Sequence, residues 1–343
     1  MVCLIANQLA RDGHEVRVIY SIRPDTPSDL REMFDERVQL VHVQMKGRGT
    51  LNAISRLRKQ LVSFAPDVVH LHSSFAGFLG RLAMIGLRAH AACLYSPHCI
   101  SFMRRDIPVW KKYVYVLLER IGCIKPTLYI ACSESEAAEI VSHLRQPTKV
   151  IENAVDTRNL RTTSVSGASR GGQRTIVSVG GIRRQKNPNL FAEIAHRLAG
   201  HDFQFVWIGD GDAQYKDALR AADVEVTGWM SREDVVERVR QCGIYLSTSS
   251  WEGMPVSVIE AMLVGKPVVV SSCAGNIDVV RHMHNGAVYN NASEAADLIG
   301  KIVENKGLYD HMSDNAAMEA RARFSEERFL SELLAIYRGA IRG

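Results

Sequence analysis

The sequence lacks the features that mark membrane-embedded, secreted and metal-bound proteins. No apolar run approaches the ~20 residues needed to span a bilayer, and no secretory leader is recognisable. The seven cysteines are odd in number and form no Cys-x-x-Cys pair, which favours free thiols in a reducing compartment over disulfides or zinc. No cluster of histidine, aspartate and cysteine has the spacing of metal ligands. We therefore expect a cytoplasmic protein with no metal site and no cofactor.

Length and charge place further bounds on the chain. With 343 residues, 46% of them apolar and 23% charged, two globular domains are the default. Residues 1–161 hold 22 Lys and Arg against 15 Asp and Glu, whereas residues 162–343 hold 20 against 22. A basic first half can face anionic lipid, nucleic acid or a phosphorylated substrate. No nucleic-acid-binding motif accompanies it, so we expect no nucleic-acid partner.

Strand and helix patterns alternate along both halves of the chain. This alternation predicts an α/β protein with two doubly wound, Rossmann-like parallel sheets, each covered by helices on both faces. The Ser- and Gly-rich interval 162–173 is interpreted as a linker between an N-terminal domain, 1–161, and a C-terminal domain, 174–325. Residues 326–343 form one amphipathic helix. Two such domains normally face a cleft and bind ligand at the ends of their strands.

The most informative segment is 249–262, which places Glu252 and Glu260 eight residues apart. Gly253 and Pro255 follow the first carboxylate and suit the approach to a helix that then contains the second. A helix start attracts phosphate because its first amides are unpaired and the helix dipole is positive there. Carboxylates beside it can accept hydrogen bonds from hydroxyl groups. The segment therefore suits a sugar phosphate, although an acidic loop that caps an ordinary surface helix has the same pattern.

A second segment, 103–118, mixes basic and aromatic residues around a predicted helix. Arg104, Arg105, Lys111 and Lys112 flank Trp110. Interfacial membrane helices have this composition. Ordinary half-buried helices have it too, so both interpretations stay open on the sequence alone.

Taken in order, several short motifs resemble the retaining glycosyltransferases of family 4, which have the GT-B fold. The matches run along nearly the whole chain: 70–72, 96–98, 131–135, 151–156, 179–187, 209–211, 228–229, 252–260 and 265–269. The resemblance implies that His98 is an active-site residue of the first domain, facing the donor sugar. His70 and His72 are interpreted mainly as structural. The final helix is expected to pack back on the N-terminal domain.

The resemblance also assigns the donor site to the second domain. It implies that Lys186 contacts the donor diphosphate, that Glu252 holds hydroxyls of the transferred sugar, and that Glu260 grips the ribose. Backbone groups near the sugar, the phosphates and the base are expected from Gly253, Met254, Val256, Trp229 and Met230. Pro255 belongs to the same segment but has no N–H to donate.

The activity implied is metal-independent transfer with retained anomeric configuration. The donor would be a nucleoside-diphosphate hexose or N-acetylhexosamine, most simply UDP-linked. The acceptor would be a glycan or a lipid-linked precursor of a surface polysaccharide, lipopolysaccharide or glycolipid. Such a protein would work in the cytoplasm, in peripheral contact with the anionic inner face of the cytoplasmic membrane.

Two departures from the family pattern open an alternative. The resemblance places Met1 inside the first helix of the fold, so the first strand of the N-terminal domain is expected to be missing. The arginine that usually joins the lysine at the diphosphate is replaced by Gly181, and either Arg183 or Arg184 could substitute for it. A catalytically inactive homologue that acts as a binding or partner subunit is therefore the alternative hypothesis. A sugar-nucleotide epimerase of similar shape fits the Glu252–Glu260 spacing less well.

Overall fold

The computed structural model describes residues 1–22, 26, 29–45, 50–87, 91–155 and 174–342. The chain divides into two compact units. Unit 1 is Met1–Asn153 together with the segment from Glu326 onward, and unit 2 is Ala154–Ser325. The predicted linker, 162–173, lies outside the described residues. Among the described helices, none combines the length and the apolar character needed to cross a bilayer.

Unit 1 alternates strands and helices. In chain order its elements are α1 (Val2–Arg11), β1 (Arg17–Tyr20), β2 (Gln39–His42), α2 (Thr50–Phe64), β3 (Val68–His72), α3 (Ser74–Met84), β4 (Ala92–Ser96), α4 (Val109–Gly122), β5 (Leu128–Ala131), α5 (Glu134–Leu144) and β6 (Thr148–Val150). The described strands form two parallel sheets, β1-β2 and β3-β4-β5-β6. Parallel pairing requires crossover connections, and α3, α4 and α5 supply them between the successive strands β3, β4, β5 and β6.

Unit 2 is built around one six-stranded parallel sheet. Its elements are β7 (Thr175–Val179), α6 (Pro188–Arg197), β8 (Gln204–Ile208), α7 (Ala213–Ala221), β9 (Glu225–Val226), α8 (Arg232–Gln241), β10 (Ile244–Ser247), α9 (Val256–Leu263), β11 (Val268–Ser271), α10 (Asn276–Val279), β12 (Ala287–Tyr289), α11 (Ala292–Glu304) and α12 (Lys306–Arg323). The strand order is β12-β11-β10-β7-β8-β9. Apolar residues at helical spacing on α6 and α11 pack on the buried strands and form the core.

The strand order of unit 2 reverses between β7 and β10. In an open α/β sheet, the loops that leave the carboxyl ends of the two strands at such a reversal diverge to opposite faces and leave a ligand-binding crevice. The loops in question are 180–187 after β7 and 248–255 after β10. The topology thus brings the predicted lysine loop and the predicted glutamate motif to one place.

The last helix, α13 (Glu326–Arg342), belongs to unit 1. It contacts α1 and β3, and the Tyr337 hydroxyl lies 2.6 Å from His70 Nδ1. Arg328 adds a hydrogen bond to the Glu152 carbonyl at 2.7 Å. The fold is α/β with two Rossmann-like units, as the sequence pattern predicts. Residues 272–325, for which the sequence pattern predicts no elements, form α10, β12, α11 and α12.

Candidate functional site

Lys186 lies in the loop after β7 and is aimed at the loop after β10. It ends a short 3₁₀ turn, Arg184–Lys186, and Asn187 then adopts a left-handed conformation (φ +50°) and caps α6 through a side-chain bond to the Leu190 amide. This cap allows α6 to begin directly at Pro188, whose missing N–H would have had no helical partner. The turn and the cap together fix the backbone from which the lysine side chain projects.

Lys186 and Glu252 form a direct ion pair. Lys186 Nζ lies 2.8 Å from Glu252 Oε1, and both side chains are largely buried. Burial disfavours the charged ammonium, but the charge of Glu252 and the hydrogen bond to it outweigh this effect and raise the pKa of Lys186. The site therefore holds a permanent cation beside a carboxylate at the crevice.

Two further side chains hold the Glu252 carboxylate, and the sequence analysis missed both. Ser249 Oγ donates to Glu252 Oε1 at 2.8 Å, and Gln185 Nε2 donates to Oε2 at 3.3 Å. Gln185 also donates to the Trp251 carbonyl at 3.0 Å. The two residues adjoin predicted site residues, but only the tertiary structure shows that they converge on one carboxylate. Glu252 is thus held rigidly, which suits a group that must select among sugar hydroxyls.

Glu260 lies on α9, within the same segment. Its Oε1 is 3.4 Å from Nη2 of the exposed Arg232, at the start of α8. Burial raises the pKa of Glu260, and the Arg232 charge partly opposes this. The carboxylate is half-buried and so keeps room to accept hydrogen bonds from a diol.

The residues between the two glutamates form the start of α9. Gly253, Met254 and Pro255 are buried, whereas Val256 is exposed. Pro255 is the N-cap, and its carbonyl accepts from the amides of Val258 and Ile259. The amides of Val256 and Ser257 precede these first helical hydrogen bonds, and such amides are the ones that a helix start can offer to an anion.

Gly181 and Trp229 are neighbours in the structure. A Cβ built on Gly181 would lie 3.6 Å from the Trp229 ring, and Trp229 is 72% exposed. Met230 beside it is half-buried, and Arg183 and Arg184 are both exposed at the turn that leads to Lys186. The indole thus forms an open aromatic surface at the end of the sheet, where a flat base could stack.

Close backbone packing leaves no space for a side chain at Gly209. Gly209 follows β8 with φ +142°, and a Cβ there would lie 2.2 Å from the Gly180 carbonyl oxygen. Trp207 Nε1 donates to that same carbonyl at 2.8 Å. The loop after β7 is therefore packed directly against the loop after β8, with no space for a side chain between them.

His98 belongs to unit 1, in the loop after β4. Its Nε2 lies 3.0 Å from His72 Nδ1 and the two rings stack. His70, next along β3, is bonded to Ser96 Oγ at 2.9 Å and to Tyr337. Desolvation lowers the pKa of all three imidazoles, to about 3 for His70 and about 4 for His98. All three rings are therefore neutral at pH 7, and His72 contacts the predicted active-site histidine directly.

Asp210 and Asp212 form an Asp-x-Asp pair after β8, a spacing that can hold a divalent metal ion and that the sequence analysis above does not include. Asp210 is engaged by Lys216 Nζ and by the Gly211 amide, each at 2.7 Å. These contacts lower the pKa of Asp210, and Asp212 is the N-cap residue of α7. Among the described residues, no three His, Cys, Asp or Glu side chains are grouped to hold a metal ion.

The chain matches two known families over its two halves. Residues 1–159 match Glycosyltransferase Family 4, and residues 161–318 match Glycosyl transferases group 1. Among characterised proteins, it is similar to the UDP-Gal:alpha-D-GlcNAc-diphosphoundecaprenol alpha-1,3-galactosyltransferase of Escherichia coli. The two are 31% identical over 261 residues, which cover 69% of this chain and 65% of that protein.

Solved structures share the fold over nearly the whole chain. The sucrose-phosphate synthase of Thermosynechococcus elongatus superposes with a TM-score of 0.82 at 15% identity, over 98% of this chain and 91% of that one. Anabaena Alr3699/HepE in complex with UDP-glucose superposes with a TM-score of 0.79 at 19% identity, over 98% and 95%. At these identities, both superpositions show the fold alone.

Proposed function

This chain belongs to family 4 of the glycosyltransferases and has the GT-B fold, and on that premise we propose that it transfers a sugar from a UDP-sugar to a glycan or lipid-linked acceptor. The observation that carries the proposal is the buried Lys186–Glu252 pair at the switch point of unit 2. A cation for the diphosphate and a carboxylate for sugar hydroxyls lie within one hydrogen bond of each other. The donor sugar is a hexose or an N-acetylhexosamine.

The donor site divides its work among five groups, of which Glu252 accepts from the hydroxyls of the transferred sugar. The ammonium of Lys186 has three N–H donors, so it can keep its bond to Glu252 and still reach diphosphate oxygens. The amides at the start of α9 add further donors. Glu260 accepts from the ribose hydroxyls, and Trp229 supports the uracil ring. This division explains why the site needs a carboxylate on each side of a helix start.

We propose that transfer retains the anomeric configuration by substitution on one face of the sugar. The acceptor oxygen forms a bond to the anomeric carbon as the bond from that carbon to the phosphate oxygen breaks. The departing phosphate oxygen takes the proton of the acceptor hydroxyl, and UDP is released. Lys186 stabilises the charge that grows on the leaving diphosphate, which is the main contribution that the enzyme can make. Because Lys186 supplies this charge, the reaction runs without a divalent metal ion.

The surface of α4 supports an acceptor held at a membrane. Its inner face carries Glu119, which is buried and bonded to Arg81 at 2.6 Å. Its outer face is apolar: Trp110 is 63% exposed and Tyr113 71% exposed. The outward row consists of Val109, Trp110, Tyr113, Val114, Leu117, Leu118 and Ile121. A helix that buries a carboxylate and turns a row of apolar side chains outward is inverted relative to an ordinary surface helix.

A bilayer surface with anionic lipid fits this inverted helix. Aromatic and aliphatic side chains enter the interface, while Lys111 and Lys112, on the same helix, meet lipid phosphates. The basic charge of residues 1–161 adds to this attraction. The E. coli relative acts, by its name, on a diphosphoundecaprenol-linked sugar. We therefore place the acceptor of this chain in a lipid-linked, membrane-held class.

Transfer assays with defined partners test the proposal. The full chain would be incubated with UDP-galactose, UDP-glucose and UDP-N-acetylglucosamine in turn, each with a polyprenyl-diphosphate-linked sugar, and UDP release and product mass would be measured. One donor is expected to give a glycosylated product with an α-linkage by NMR. UDP binding without transfer from any donor would favour the inactive binding subunit. Failure to bind UDP at all would contradict the assignment of the donor site.

A further inference from the structure

The loop that carries His98 is held in a demanding conformation. We define the His98 loop as residues 97–100. His98 has φ +53° and Cys99 has φ +78°, so two consecutive residues other than glycine adopt left-handed backbone. Such conformations are disfavoured by Cβ contacts and persist where surrounding structure enforces them. Some group must therefore hold the His98 loop in place.

That group is the side chain of Glu136, on the first turn of α5. Glu136 Oε1 accepts the Cys99 amide at 2.7 Å and the Ile100 amide at 2.9 Å. Its Oε2 accepts the Cys132 amide at 2.9 Å and lies 3.1 Å from Cys132 Sγ. One carboxylate thus joins the loop after β4 to the end of β5.

Local helix capping does not explain these contacts. Ser133 and Glu136 have the Ser-x-x-Glu spacing of a capping box, in which the glutamate returns to the N-cap amide. Ser133 does accept the Glu136 amide, at 3.2 Å. The Glu136 carboxylate does not return to the Ser133 amide. It accepts instead from the Cys132 amide and from the amides of Ile100 and Cys99, which are 36 and 37 positions away in the chain. Its bonding is tertiary and is directed at the His98 loop.

Glu136 is completely buried, so it contacts no substrate. A buried carboxylate is costly unless donors surround it, and here three backbone amides and a thiol do so. Burial raises the pKa of Glu136 while these donors oppose the rise. These hydrogen bonds offset the cost of burial, and two of them hold the backbone that directly follows His98, whose ring contacts His72.

We infer that Glu136 is a positioning residue that sets the orientation of His98 for transfer. The inference rests on the proposed function, because it requires that His98 acts on the donor sugar. Glutamine at this position keeps one carbonyl oxygen and turns an NH₂ group towards amide donors, so it cannot satisfy both halves of the carboxylate's bonding. Either the Cys132 amide or the two loop amides therefore lose their acceptor in Glu136→Gln, and in Glu136→Ala both groups lose it, so that the His98 loop relaxes from its left-handed conformation.

A double-mutant cycle tests the inference. Glu136→Gln is expected to lower kcat by about 10- to 100-fold, since misplacing a catalytic group by about 1 Å has effects of this size. The KM for the UDP-sugar should change little, because unit 2 binds it. In a His98→Ala background, Glu136→Gln should cause little further loss, because its effect acts through His98. Independent, additive losses would overturn the inference.

A structural measurement keeps the inference testable if the chain transfers no sugar. Hydrogen exchange at the Cys99 and Ile100 amides should become at least about 10-fold faster in Glu136→Ala, which removes the oxygen that accepts from both of them. The control is Glu119→Gln, which alters another buried carboxylate of unit 1 and should leave exchange at these two amides unchanged. Equal exchange in wild type and Glu136→Ala would overturn the inference, whatever the outcome of the transfer assays.

Discussion

Lys186 Nζ and Glu252 Oε1 lie 2.8 Å apart, although 66 residues separate them in the chain. The pair joins the two loops that flank the switch point of unit 2. Thr248 Oγ1 strengthens the junction by donating to the Lys186 carbonyl at 2.7 Å. Lys186 and Glu252 therefore hold each other in place, and removal of either side chain leaves the other without its charged partner.

Loss of the Lys186 charge should weaken donor binding. Lys186→Ala and Glu260→Gln are each expected to weaken UDP binding by about 1.5–3 kcal/mol, the value of a charge-assisted hydrogen bond. Calorimetry with UDP measures this. Lys216→Ala, which removes a half-buried lysine paired with Asp210, is the matched control and should bind UDP as wild type does. Unchanged affinity in both site variants would refute the donor site.

Gly209→Ala should destabilise unit 2 and damage the donor loop. The added methyl group would lie 2.2 Å from a backbone oxygen that cannot move freely, and we expect a loss of about 2 kcal/mol or more. Gly300→Ala is the control, because a Cβ at this position in α11 has no heavy atom within 4 Å. This substitution should stabilise the helix by roughly 0.5–1 kcal/mol. Thermal unfolding compares the two; equal melting temperatures would show that the loops separate easily.

Transfer should persist in excess EDTA. Lys186 and the α9 amides supply the positive charge that a divalent ion would supply elsewhere. Activity assays with and without EDTA check this. Loss of activity that Mg²⁺ or Mn²⁺ restores would direct attention to Asp210 and Asp212, the Asp-x-Asp pair.

The stability of unit 1 should fall as the pH falls below about 6.5. The pKa of His70 is about 3 in the fold and about 6.5 in an unfolded chain. Between these values the unfolded state binds a proton at His70 that the folded state does not, so His70 alone decreases the free energy of unfolding by up to about 1.4 kcal/mol per pH unit, and His72 and His98, whose pKa values are also lowered, add to the slope. His70→Gln should reduce this slope, as measured by urea unfolding from pH 7 to 4. The exposed His14→Gln is the control, and identical slopes in all three proteins would contradict the prediction.

Liposome co-sedimentation tests the role of α4. Binding to anionic vesicles should fall when Arg104, Arg105, Lys111 and Lys112 are replaced by glutamine, and it should fall with rising salt. Arg104 is bonded to Asp106 at 2.7 Å, so it should contribute least of the four. Replacing Trp110 and Leu117 by serine should weaken binding at every salt concentration. Equal binding to neutral and anionic vesicles would rule out the electrostatic contribution.

Much of the architecture was predictable from local pattern. Alternating strand and helix signals predicted the α/β class, and the order of short motifs predicted the family and its GT-B fold; both predictions are confirmed. Helix starts such as Pro188 and strand cores such as 244–247 follow from residue type alone. The roles of Lys186, Glu252, Glu260 and His98 remain predictions. The structure adds the side-chain contacts of each residue, and these contacts define the variants to be measured.

What the sequence determined by itself is the alternation of strands and helices as far as about residue 271, the family and the segments that carry the chemistry, because periodicity and motif order are local properties of the chain. Only the tertiary structure decided which side chains meet. Gln185 on Glu252, His72 on His98, and Glu136 on the Cys99 amide are contacts between residues 26 to 67 positions apart in the chain. The outward apolar face of α4 was likewise undecided, since periodicity locates an apolar row but not the side on which the protein packs. These contacts depend on packing between elements distant in sequence, which no local pattern encodes.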